Sequence, residues 1–184
     1  MVDFGLTIRG LRMFTLIAST LLLAGCPLLS DYPLSDPKAA EIDTELIGSW
    51  QSGDAESGKV TRLRFIPFDE HELVGLAIGD DRDESSALRA FTTEIEGTRF
   101  INVKELGKDS GTWSILRYGI EEGKLRLTSV DDGLFRGKAL SGSAELYEMV
   151  KRNLGDPRLY SPADGDVPDD MVWERVPEAP AKNG

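Results

Sequence analysis

Thr112-Trp113-Ser114-Ile115-Leu116-Arg117-Tyr118-Gly119-Ile120, followed by Glu121-Glu122-Gly123-Lys124, is the stretch whose reading decides the fold. Residues 112–120 alternate, with Trp113 and Ile115 on one face and Leu116, Tyr118 and Ile120 on the other. Apolar groups on both faces do not suit a sheet with one face in water. They suit a curved sheet that also packs a helix or loops against its outside. Gly123 supplies the positive φ that a tight hairpin needs, so the chain should return at once along residues 124–130. Ile95-Glu96-Gly97-Thr98 repeats the pattern, joining strands expected over 87–95 and 98–105.

Working outward, further short runs rich in β-branched, aromatic and leucine residues fall at 46–53, 60–68 and 72–79, cut by Gly and Asp clusters. Residues 171–176, Met-Val-Trp-Glu-Arg-Val, alternate and should form the closing strand. Regular short strands with tight turns predict an antiparallel meander, closed as a barrel or packed as a sandwich, and not βαβ units. One helix is expected, over 143–154. Ser143 can cap its start, and Glu145 lies where the helix dipole favours an anion. Leu146, Met149, Val150 and Leu154 form an apolar stripe, and Gly155 with Asp156-Pro157 stops the helix. Residues 131–140 read equally as a strand or a short helix.

The N-terminus has a different character. Arg9 and Arg12 precede an eleven-residue apolar run, Met13 to Leu23, which is short of the roughly 20 residues a membrane-crossing helix needs. Charged start, apolar middle and small-residue exit make the layout of a secretory signal peptide over residues 1–25. The exit is Leu23-Ala24-Gly25-Cys26, which resembles the lipobox of bacterial lipoproteins. That resemblance implies that the Cys26 thiol receives a diacylglycerol and becomes the new N-terminus, with the membrane as partner through the lipid. Pro27 stands where an Asp would imply retention at the inner membrane, so the resemblance implies outer-membrane sorting, with the body facing the periplasm. Residues 26–44 contain Pro27, Pro33 and Pro37 and read as the lipidated cysteine plus a flexible tether. A single domain over 45–176 and a frayed tail over 177–184 complete the organisation.

Charge excludes some functions. Removing residues 1–25 takes Asp3, Arg9 and Arg12 from 32 Asp+Glu and 21 Lys+Arg, leaving 31 and 19, a net charge of −12. Such a body repels nucleic acid and anionic lipid alike. Cys26 is the sole cysteine, so lipidation leaves no disulfide, and packing alone must hold what is expected to be a monomer.

Gly48-Ser49-Trp50 opening the first strand, hairpins throughout, one late helix and Arg175 in the final strand together resemble the lipocalin and wider calycin group. The resemblance implies an eight-stranded antiparallel barrel. In it Trp50 lies across the closed end and Arg175 packs over the indole, a contact worth about 0.5–2 kcal/mol. Trp50 as an ordinary core residue is the competing reading. Eight strands enclose either packed side chains or one small molecule. Arg62 and Arg64 share a strand face with Val60, Ile66 and Phe68. They either meet an anionic headgroup or stand exposed outside the barrel, and the rarity of buried unpaired cations favours the second. His71 is the single histidine, so no zinc pair exists, and a hydrolytic triad would have to use it. Asp80-Asp81-Arg82-Asp83-Glu84 lacks calcium-loop spacing and reads as a solvated hairpin tip. With no catalytic motif, metal set or cofactor signature, the expectation is a non-enzymatic, lipid-anchored envelope protein. Its domain would bind a small apolar ligand or a protein partner. The alternatives are a cavity-less assembly accessory protein and a hydrolase built around His71.

Overall fold

A computed structural model describes residues 27–53, 59–79, 85–107, 111–160 and 171–177. The lipobox with Cys26, the Asp80–Glu84 run and the tail from residue 178 lie outside the described residues.

The strands are β1 (Leu29–Ser30), β2 (Gly48–Gly53), β3 (Val60–Pro67), β4 (Leu73–Ile78), β5 (Ser85–Ile95), β6 (Thr98–Glu105), β7 (Trp113–Glu121), β8 (Lys124–Ser129) and β9 (Met171–Val176). Each of β2 to β8 pairs antiparallel with the next, β8 pairs with β9, and β9 pairs back onto β2. The result is a closed, eight-stranded, lipocalin-like all-β barrel with, among the described residues, one α-helix, α1 (Ser143–Arg152). Closure leaves no long exposed edge among the described strands. The turns 96–97 and 122–123 sit between directly paired residues, Ile95 with Thr98 and Glu121 with Lys124. In both turns the glutamate and the glycine take positive φ, +50° and +81° in the first, +51° and +74° in the second. This primed geometry matches the strand twist, and glutamate accepts a costly conformation to make it.

Strand alternation divides the apolar residues into an inner and an outer set. Trp50, Leu63, Phe65, Ala90, Ile101, Leu116, Tyr118 and Leu125 fill the barrel. Gly75 is small for a reason: a Cβ there would stand 3.2 Å from the Phe65 ring. Outside, Ile95, Phe100 and Ile115 join Leu146, Met149 and Val150 of α1, so β7 does carry core on both faces.

Residues 27–44 are not a tether. Pro27 forms a bridge with Asp131, the Leu28 amide donates to the Val130 carbonyl at 2.8 Å, and β1 pairs with the start of β7. Leu28 and Leu34 are buried in the outer cluster, and Ala40 packs with Phe91 and Trp113. Burial of the two leucines outweighs the extended bias of the prolines, which only shape the path. At Asp36-Pro37 the aspartate accepts the Lys38 amide at 3.0 Å and starts a 3-10 turn over Pro37–Ala39.

The helix departs from expectation at its start. Ser143 is already helical and the cap position is Gly142, whose side chain offers nothing. Glu145 reaches back instead, accepting the Ser141 amide at 2.9 Å and its hydroxyl at 2.8 Å, which holds the carboxyl below its ordinary pKa. This is a capping box displaced by one residue. Residues 131–140 form neither strand nor helix but a run of turns, begun by Asp131 accepting the Gly133 amide at 2.8 Å and pinned by buried Phe135.

Candidate functional site

The barrel has two unlike ends. At one end lie the β3–β4, β5–β6 and β7–β8 turns and the β9–β2 pairing around Trp50. Trp50 is fully buried, and its Nε1 donates to the Leu46 carbonyl at 2.9 Å. The acceptor belongs to a 3-10 turn, Thr44–Leu46, which precedes β2. Arg175 lays its guanidinium 4.2 Å from the indole centroid. It also donates to the carbonyls of Ile47, at 2.9 Å, and Glu45. Gly48 stands at φ +129°, and a Cβ there would come within 2.9 Å of Arg175 Nη1. Gly48, Trp50 and Arg175 therefore meet in one place. Glycine leaves the space, tryptophan fills the barrel, and arginine covers it from outside.

A second arrangement stands beside it. Asp43 Oδ1 accepts the Glu45 amide at 2.9 Å and begins the 3-10 turn, while Oδ2 accepts the Tyr118 hydroxyl at 2.7 Å and Arg99 Nη1 at 3.0 Å. Arg99 also pairs with Glu45 at 2.9 Å and lies 5.1 Å from the Tyr118 ring centroid. Burial, and then Asp43 as neighbour and acceptor, push the Tyr118 phenol far above its ordinary 10.0. These groups tie the chain entering the barrel to β6 and β7. Their shared hydrogen bonds hold this end of the barrel together.

Nothing in the sequence singles out Asn102, which is fully buried on the outer face of β6. Its Oδ1 accepts the Leu34 amide at 2.8 Å, and its Nδ2 donates to Thr93 Oγ1 at 2.9 Å. Thr93 is in turn 2.7 Å from Ser35 Oγ. Every polar group is answered, which fixes the 27–44 segment against the barrel. His71 belongs to the same seam. Its Nδ1 lies 2.8 Å from the Ala40 carbonyl and its amide donates to Asp69 at 2.8 Å. Among the described residues no serine or cysteine is hydrogen-bonded to it, and no group of metal-ligating residues forms.

Arg62 and Arg64 are exposed on the barrel exterior. Cross-strand partners join them to an apolar face: Arg62 opposite Ile78, Arg64 opposite Leu76, and Ile66 opposite Val74. Phe68 continues this face at 70% exposure. A shallow depression of about 410 Å3, lined by Gln51, Ser52, Gly53, Val60, Val172 and Glu174, lies where β2 and β9 part beyond their three paired residues. Beside it Trp173 buries an indole N–H that has no acceptor among the described residues. No described helix is long and apolar enough to cross a membrane. No protein-family model, curated protein or solved structure matches this chain.

Proposed function

We propose that this chain is a lipid-anchored protein of the bacterial envelope, held at the outer membrane through Cys26, whose barrel is a non-enzymatic binding module for another envelope protein. The address rests on Leu23-Ala24-Gly25-Cys26 after a charged and then apolar leader. The mode of binding rests on one observation. The barrel interior is occupied by its own side chains, while the outer face of β3 and β4 is left bare and apolar, with two arginines set in it. A ligand carrier of this fold needs an apolar hollow of some hundreds of Å3. A contiguous apolar face rimmed by charge is instead the mark of a protein contact. Arg62 and Arg64 have no ion pair with a described residue, and they belong to a strongly acidic chain. The partner this face fits is therefore acidic around an apolar centre.

A photo-crosslinking residue at Phe68, in cells making the full chain, tests the reading. It should trap one acidic envelope protein, and the double charge reversal Arg62→Glu with Arg64→Glu should abolish the adduct. Adducts that survive the reversal would overturn it. Native mass spectrometry supplies the second arm: a lipid bound stoichiometrically to purified protein would move the function into the barrel, beside the Trp173 N–H that has no acceptor among the described residues.

A further inference from the structure

The remaining end of the barrel gathers the termini of β2 and β3, β4 and β5, β6 and β7, and the exit of β8. The described chain also starts there. Pro27 bridges Asp131 just beyond β8, and Leu29 and Ser30 pair with Ser114 and Trp113 at the start of β7. Cys26 is the adjacent residue, one Cα step of about 3.8 Å away. Eighteen free residues in an extended, proline-rich conformation would have reached roughly 55 Å and let the body turn at will. No such length is available, because Leu28 is already locked into the outer cluster.

We infer that the barrel end next to Cys26 is laid against the bilayer surface, with the Trp50–Arg175 end pointing away from it. The inference rests on the lipid-anchor reading proposed above. Among the described residues, three large apolar side chains are exposed toward this end: Leu29 at 60%, Leu106 at 47% just after β6, and Ile78 at 41%, the last residue of β4. They suit the apolar boundary beneath the headgroups. Ile66 and Phe68 lie toward the far end and stay clear for a protein partner. The surface concerned is a zwitterionic one, since an anionic membrane would repel a chain of net charge −11.

Lipidation occupies the sole thiol, so an added cysteine is uniquely labelled. Full-length Leu106→Cys and Glu122→Cys proteins, taken from membranes with their lipid, would carry an environment-sensitive dye. They would then be placed in phosphatidylcholine vesicles containing spin-labelled lipid. The expected result is loss of fluorescence at position 106 with the signal at 122 unchanged. Inserting a Gly/Ser linker of about ten residues between Cys26 and Pro27 should erase that difference while the protein stays on the vesicle. Equal quenching at the two positions, with the acyl mass present on the protein, overturns the orientation and leaves the anchor standing. A difference that survives the linker overturns the claim that the anchor position sets it. Protein with no acyl mass that does not sediment with vesicles sinks the anchor reading and the orientation together.

Discussion

The two flanks of this barrel are built from strands of similar length, yet one is dressed and the other is bare. On the β5–β7 flank the outward residues Phe91, Phe100, Asn102, Trp113 and Ile115 are buried under α1 and the 27–44 segment. On the β3–β4 flank the outward residues Arg62, Arg64, Ile66 and Ile78 remain exposed. The inner face is the same on both sides, so closure of the barrel does not require the outer layer. What the layer adds is a second core and a fixed path for the chain that leads to the anchor. A flank left apolar without such a layer is available for something else.

The largest effect expected tests what the flanks share. Trp50→Ala removes the fully buried side chain that fills the closed end and strips Arg175 of its aromatic partner. Denaturant unfolding should show a loss of about 3–5 kcal/mol. A loss below about 1 kcal/mol would mean that this end repacks around the gap, and that Trp50 is no plug. A smaller effect separates the flanks. Asn102→Ala leaves the Leu34 amide buried without its acceptor and should cost about 1–3 kcal/mol, with faster hydrogen exchange confined to the 27–44 segment. Phe68→Ser, on the bare flank, should stay within about 0.5 kcal/mol of the parent. Equal losses from the two variants would erase the distinction between the flanks.

The sequence disclosed these regions unequally, for physical reasons. Hairpins at Glu96-Gly97 and Glu122-Gly123 are local events, set by backbone conformations that glycine advertises. The doubled apolar character of residues 112–120 is also local, and it correctly demanded an outer layer. Which segment supplies that layer is decided by contacts across the chain, such as Leu34 to Asn102, 68 residues apart. Prolines at 27, 33 and 37 therefore read as a linker, although Leu28 and Leu34 hold the segment down. Asn102 went unread, because nothing in a sequence marks a side chain whose partners arrive from elsewhere. Gly48, Trp50 and Arg175 were legible only through resemblance to a family. The hydrogen bonds from Arg175 to the Glu45 and Ile47 carbonyls were not legible at all.

A last predicted effect uses pH to compare the interior with the dressed flank. Tyr118 sits inside the closed end, and Tyr160 sits on the dressed flank beneath Arg117, 4.2 Å from the ring centroid. Burial raises both phenols above the ordinary 10.0, and for Tyr118 the Asp43 carboxylate adds to the rise. A phenol is charged when it loses its proton, so a raised folded-state pKa means that the folded state holds the proton longer. The associated stability is complete below pH 10 and is lost as pH climbs above the unfolded value. One such group lowers stability by at most about 1.4 kcal/mol per pH unit. Tyr118→Phe should cost about 0.5–1.5 kcal/mol at neutral pH, through the lost bond to Asp43, and should flatten the decline above pH 10. Tyr160→Phe should flatten it less, because Arg117 opposes the shift there by favouring the phenolate. If the two variants lose alkaline sensitivity equally, Asp43 is not the group that holds the Tyr118 proton. The closed end would then be kept shut by packing and the two arginines alone.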